Sequence, residues 1–197
     1  MVYIFAAKRG NCTEKEASRL LMEMAYEQVF SAALPPIEHT PYGKPYFKGR
    51  PDVHVSLSHS KDYIACAFSS TRIGIDIEKV RPVKKGIAQR VCAASERSSF
   101  TFFSTWVLKE SFIKWQGRYT SHFRTLVFTG NDASARTTPS HVRARVYHDI
   151  EGYRVGVCVS HQAPPAQVRV LDISQQKEAG AVTILPEHAP YATAARA

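Results

Sequence analysis

The sequence predicts an α+β protein made of two similar α/β lobes fused in one chain. Three observations carry that expectation. With 197 residues, 44% of them hydrophobic, the chain can fill one ordinary domain or two small lobes that share a core. A weak internal repeat is visible: D62-Y-I-A-C-A-F68 followed by I73-G-I-D-I-E78 resembles G152-Y-R-V-G-V-C-V159 followed by V168-R-V-L-D-I-S174. Each half also carries one long helical periodicity ahead of its strands. In the second copy Asp172 falls where Asp76 falls, but Ser174 stands in the place of Glu78, so only the first half keeps an acidic pair.

Each element has a local reason. An apolar run over 2–6 predicts the opening strand. T13-E-K-E16 fits a capping box, in which a hydroxyl and a carboxylate satisfy each other's backbone N–H groups. The helix it opens places Ala17, Leu20, Leu21, Met24 and Val29 at helical spacing, and Pro35-Pro36 ends the segment. Y42-G-K-P-Y46 is a turn followed by aromatics. H54-V-S-L-S58, Y63-I-A-C-A-F68 and I73-G-I-D-I-E78 read as strands, residues 83–103 as irregular helix, and Trp106 to Gln116 as a helix. Val142–Ile150 and Tyr153–Ser160 predict a hairpin around Glu151-Gly152, and Q167-V-R-V-L-D-I-S174 a final strand. The expected division is 1–80 for the N-terminal lobe, 81–185 for the C-terminal lobe and 186–197 for a loose Ala/Pro-rich tail.

Composition narrows the function classes. No run approaches a membrane span, and M1-V-Y-I-F-A-A-K8 meets a charge too early for a secretory signal, so a cytoplasmic protein without a membrane partner is expected. Cys12, Cys66, Cys92 and Cys158 form no C-x-x-C pair and no zinc-ligand spacing, and they read as reduced and structural. A net charge of +9 fits a polyanionic ligand or an acidic protein partner. The basic residues are scattered and no nucleic-acid motif appears, so nucleic acid is not expected as a partner.

The chemistry concentrates in two stretches. On a strand, alternate side chains share a face, so Asp76 and Glu78 point together, away from Ile75 and Ile77. Two such acids repel unless something positive stands between them. W106-V-L-K-E-S-F-I-K-W-Q-G117 places Val107, Leu108, Ser111, Phe112 and Trp115 on one helix face and Trp106, Glu110, Ile113 and Lys114 on the other. Glu110 and Lys114 are neighbours at i,i+4. Packed across the strand, that helix would bring Glu110 to Asp76 and Glu78. Three carboxylates without His or Cys suit a hard oxygen-bound cation such as Mg²⁺. The competing reading is a solvated edge-strand face beside an ordinary helix-surface ion pair; the flanking isoleucines argue instead for a central strand. S56-L-S-H-S60 ends a strand with hydroxyls and an imidazole that can meet oxyanions, and Y42-G-K-P45 presents a lysine on a turn. Polar-turn and exposed-loop roles compete with each. Lys109 reads as helix surface.

In order, G43-K-P45, S58-H-S60, G74-I-D-I-E78 and W106-x-x-K-E-S-x-x-K114 resemble the motif series of the 4′-phosphopantetheinyl transferase superfamily, surfactin-synthetase-activating (Sfp) type. The resemblance implies two pseudo-symmetric lobes, each a small mainly antiparallel sheet packed on a long helix, with one active site between them. It implies transfer of the 4′-phosphopantetheine arm of coenzyme A to a serine of an apo acyl or peptidyl carrier protein, with release of adenosine 3′,5′-bisphosphate. Asp76, Glu78 and Glu110 would hold Mg²⁺, Glu110 would act as base toward the serine, and Lys114 would balance charge on the pyrophosphate. Arg19, Lys44, Ser58 and His59 would contact the phosphates of coenzyme A. The duplication favours a monomer. The chain departs from the family in its short stretch ahead of Arg19 and its short segment between Asp76 and Lys109. The rival expectation is therefore a non-catalytic relative that binds coenzyme A or a carrier.

Overall fold

The structure is a computed structural model that describes residues 1–84, 86–118 and 123–174. The expected tail at 186–197 and the lobe end at 185 lie outside the described residues. Six strands form the first sheet, in the order β11 (Arg169–Leu171), β1 (Val2–Lys8), β5 (Tyr63–Ser69), β4 (His54–Ser60), β3 (Pro45–Phe47) and β2 (Ile37–His39). Its pairs are antiparallel except β1 with β11. Five strands form the second sheet, all antiparallel: β6 (Ile73–Lys79), β10 (Tyr153–Ser160), β9 (Val142–Tyr147), β8 (Ser134–Arg136) and β7 (Thr129–Asn131). The α+β class is as expected. Two strands change sheets: β6 leaves the run that built the first sheet and pairs with β10, while β11 returns from the second half to pair with β1.

Each sheet carries one long helix. α1 (Glu14–Phe30) opens with the capping box read from Thr13 and Glu16 and packs on β1 and β5. α4 (Phe102–Gln116) packs on β6, β10 and β9, after the short helices α2 (Ile87–Val91) and α3 (Glu96–Ser99). α4 begins four residues before the expected Trp106, because the Thr101 side chain caps it by accepting from the Ser104 amide. The three-residue strands β2, β3, β7 and β8 were not expected. A run that short cannot display a period of two. The final strand is confined to Arg169–Leu171, the residues that find partners on β1.

Three apolar clusters follow the layers. Phe5, Ile64, Cys66 and Phe68 pack under Leu21, Met22 and Tyr26 of α1. Ile73, Ile75 and Ile77 meet Ile4, Ala6, Ala65 and Ala67 between the two sheets. Val107, Leu108, Phe112 and Trp115 of α4 cover Val142, Ala144, Val146 and Cys158. All four cysteines are free and buried. Burying the three β6 isoleucines completely contributes about 2 kcal/mol each in transfer terms.

Two glycines set how closely α4 approaches the sheet. A Cβ on Gly74 would stand 2.0 Å from the Ser111 carbonyl oxygen and 2.3 Å from the Trp115 amide nitrogen. One on Gly156 would stand 2.5 Å from the Val107 carbonyl oxygen. Strands β6 and β10 are neighbours, so the two absent side chains open a trough in which the helix lies against backbone. That close seat delivers Glu110 and Lys114 to the face of β6 that carries Asp76.

Candidate active site

β6 is an edge strand of its sheet, contrary to the central position expected from its isoleucines. Its burial comes from packing against the first sheet, not from strands on both sides. An edge leaves a row of outward N–H groups, and buried donors require partners. Three serine hydroxyls of β4 supply them: Ser56 Oγ accepts from the Ile75 amide at 3.0 Å, Ser58 Oγ from Ile77 at 3.3 Å and Ser60 Oγ from Lys79 at 3.2 Å. The alternating serines thus join the sheets where no strand-to-strand ladder exists.

The acidic face of β6 is built on the same hydroxyls. Ser58 Oγ donates to Asp76 Oδ1 at 2.8 Å, and Lys114 Nζ donates to Ser58 Oγ at 2.7 Å and to Asp76 Oδ1 at 2.8 Å. Ser60 Oγ donates to Glu78 Oε2 at 3.0 Å, which also pairs with Arg81 at 2.8 Å. Burial holds the Asp76 carboxyl above its ordinary value, against the opposing pull of Lys114 and of the Ser58 hydrogen bond, with Glu78 adding to the rise. Glu110 lies within the same electrostatic neighbourhood. Its pKa is pushed up to about 7 by burial first and by the Asp76 charge second; Lys114 opposes the rise and Glu78 adds to it. The helix therefore brings Glu110 to the side of the molecule that carries Asp76 and Glu78.

The donor set fits a hard cation in its chemistry. All three groups are carboxylates, two of them hold a proton more tightly than usual, and Asp76 Oδ2 is a buried oxygen without a hydrogen-bond partner. A cation at this place would relieve all three conditions. The side chains are not already drawn onto one point: among the described residues no group of three or more His, Cys, Asp or Glu side chains stands as a ready metal cluster.

The remaining expected contacts fall in different settings. His59 is half exposed and faces Glu14 at 3.5 Å. Arg19 lies on α1, half exposed, with Glu23 at 2.8 Å. Lys44 is largely withdrawn from solvent. Its Nζ donates to the carbonyls of Ile73 at 2.8 Å, Lys114 at 2.7 Å and Trp115 at 3.1 Å. Those three bonds use every N–H of the ammonium, tying the G-K-P turn to β6 and to the C-terminal end of α4. Burial and the nearby Arg72 charge lower the Lys44 pKa to about 8. Ser58 likewise has its one proton engaged, on Asp76.

Lys109 corrects the sequence reading. It is not on the helix surface but wholly buried, 2.7 Å from the equally buried Glu96 of α3. Its Nζ also donates to the carbonyls of Val91 and Phe123, both at 2.7 Å, while Glu96 accepts from the amides of Ala93 and Phe128. Nothing local in the sequence pairs Glu96 with Lys109. The one available signal is that the helix neighbours of Lys109 at i−3, i+3 and i+4, Trp106, Phe112 and Ile113, are all apolar.

The two-sheet α+β fold, with its carboxylate–lysine face on an edge strand, is that of a class found by comparison with known families. The family model described as the 4′-phosphopantetheinyl transferase superfamily matches residues 72–158, which hold β6, α4 and most of β10. The chain is 32% identical over 150 residues, 68% of this chain and 67% of the relative, to the 4′-phosphopantetheinyl transferase Sfp of Bacillus subtilis (strain 168). It is 35% identical over 136 residues, 61% of each chain, to a 4′-phosphopantetheinyl transferase of Bacillus subtilis. Over 146 residues it is 31% identical to the 4′-phosphopantetheinyl transferase psf-1 of Bacillus pumilus, covering 66% of this chain and 62% of that one. This chain belongs to the 4′-phosphopantetheinyl transferase superfamily. It spans roughly two thirds of the length of the relatives it matches, from 61% to 67% in these three.

Proposed function

We propose that this protein transfers the 4′-phosphopantetheine arm of coenzyme A to a serine hydroxyl of an apo acyl or peptidyl carrier protein. The observation that carries this reading is the approach of Glu110 to Asp76, with Lys114 bridging Asp76 and Ser58, in a chain of this family. In the transfer the serine oxygen bonds to the pyrophosphate phosphorus that bears pantetheine. The bond from that phosphorus to the bridging oxygen breaks, and adenosine 3′,5′-bisphosphate leaves.

Glu110 takes the serine proton, directly or through one water. In the ion-free chain burial and the Asp76 charge make it hold its proton; a bound cation would lower its pKa and present the carboxylate form that a base needs. Lys114 is held by Asp76 and Ser58 as a fixed positive charge beside the pyrophosphate, and balances charge on the departing phosphate. Asp76, Glu78 and Glu110 would hold Mg²⁺, which when bound neutralises pyrophosphate charge. His59 and Arg19 stand half exposed, where an imidazole N–H and a guanidinium can donate to phosphates of coenzyme A. Lys44 and Ser58, whose donors are engaged within the protein, act in this reading by placing Lys114 and Asp76. The net charge of +9 favours encounter with both coenzyme A and an acidic carrier.

The same reading takes the chain as a cytoplasmic monomer of two pseudo-symmetric lobes, 1–80 and 81–185, that exchange β6 and β11. Four free, buried cysteines and the internal repeat support it, and no described helix is long and apolar enough to cross a membrane. The test is intact-mass spectrometry of apo carrier proteins incubated with the protein, coenzyme A and Mg²⁺. The expected result is the mass increment of one phosphopantetheine arm on at least one carrier, lost in Asp76→Ala and Glu110→Ala variants that stay folded. Coenzyme A binding without a mass increment on any carrier would overturn transfer and leave a binding protein.

A further inference from the structure

Three rungs join β4 to β6, yet they do not do the same work. Ser56 Oγ receives the Ile75 amide and no carboxylate is bonded to it. Ser60 Oγ receives the Lys79 amide at 3.2 Å and at the same time donates to Glu78 Oε2 at 3.0 Å. Ser58 Oγ receives both the Ile77 amide and Lys114 and donates to Asp76. A hydroxyl has one proton and two acceptor positions, so accepting from a fixed backbone N–H directs where its proton can point. In Ser58 and Ser60 that proton points at an acid of the same strand. The spacing matches on both strands: serines at 56, 58 and 60 face amides at 75, 77 and 79, and the acids at 76 and 78 fall between them.

We propose that Ser60 is a positioning residue for Glu78: Ser58 and Ser60 set the carboxylate face, whereas Ser56 only joins the two sheets. The edge amide of Lys79 orients the Ser60 hydroxyl, and the hydroxyl holds Glu78 Oε2. This opposes the outward pull of Arg81, which grips the same oxygen at 2.8 Å from a half-exposed position. The inference rests on the reading that Asp76, Glu78 and Glu110 receive a divalent ion. Groups that orient metal ligands without touching the metal typically change metal affinity 10–100-fold when removed.

The experiment uses the full chain with saturating coenzyme A and no carrier, so that nothing turns over, and titrates Mn²⁺ by electron paramagnetic resonance of the free ion. Ser60→Ala is expected to weaken Mn²⁺ binding about tenfold, the low end for such groups. Ser60→Thr, which keeps the hydroxyl, is expected to restore it. Ser56→Ala removes a rung but no carboxylate contact, so it should lower the melting temperature and leave Mn²⁺ affinity at the wild-type value. Equal Mn²⁺ affinity in Ser60→Ala and wild type would overturn the positioning role while leaving the metal reading intact. An equal loss in Ser56→Ala and Ser60→Ala would overturn it as well, by showing that any missing rung disturbs the site. Wild-type protein that binds no Mn²⁺ would instead bring down the metal reading, and this inference with it.

Discussion

Glu96 and Lys109 form an ion pair at 2.7 Å with no solvent exposure on either side chain, and Lys109 is the residue next to Glu110 on α4. The pair pins α3 to the helix that carries the site. Breaking a buried pair from one side leaves an uncompensated charge, which costs about 3–5 kcal/mol. Lys109→Met should therefore lower unfolding free energy by about that amount, measured by urea denaturation, and Glu96→Gln combined with Lys109→Met should recover part of the loss. Additive single losses would show that the two side chains do not act as a pair.

Gly74 is expected to tolerate no side chain. A methyl group there meets backbone atoms of Ser111 and Trp115, which cannot rotate away. Gly74→Ala should destabilise by about 3 kcal/mol or more, at the top of the range for overpacking. Because the displaced element is α4, the variant should also lose the neighbourly effect of Asp76 on Glu110. Circular-dichroism melting reports the first effect. A carboxyl titration followed by NMR, with the Glu110 pKa falling toward 4.5, reports the second.

The pH dependence of the ion-free protein has a definite sign. Glu110 holds its proton up to about 7 in the folded chain, against 4.5 as its ordinary value. Between those two values the folded state binds more protons than the unfolded state, so stability falls as pH rises from about 4.5 to about 7. Glu110→Gln should reduce that slope, leaving the part due to Asp76, whose carboxyl is also raised. Urea midpoints in the presence of a chelator, taken across that window, check it. A wild-type midpoint that climbs with pH would contradict the buried placement of Glu110.

Lys44 should behave as a structural tie. Lys44→Met removes the donor to three carbonyl oxygens, two of them at the end of α4. With hydrogen bonds from a charged group contributing about 1.5–3 kcal/mol, melting should fall accordingly. The dissociation constant of coenzyme A, measured calorimetrically, should change by less than the roughly tenfold loss expected from removing a direct phosphate contact. A stable variant that loses coenzyme A binding would return Lys44 to the phosphate role.

Much of this molecule was legible in its residues. The capping box of Thr13 and Glu16, the alternation of Ile73, Ile75 and Ile77 against Gly74, Asp76 and Glu78, and the i,i+4 pair Glu110–Lys114 are local patterns whose period is that of the backbone itself. Those same patterns foretold which helix would meet which strand, because a strand with two acids on one face demands a basic or metal-binding partner. The four short strands β2, β3, β7 and β8 carry no such local pattern, since their existence depends on a neighbour presenting a free edge.

What tertiary structure alone decided is which polar group answers which. No spacing rule tells that β6 is an edge strand, that its outward amides are met by Ser56, Ser58 and Ser60, or that Lys44 reaches the end of a helix 70 residues away. Local sequence governs backbone conformation and the face on which a side chain emerges, because those follow from sterics within a few residues. The partner of a buried donor or charge is governed by which strands change sheets and how closely a helix can lie against glycine. Those are properties of the whole chain packed together.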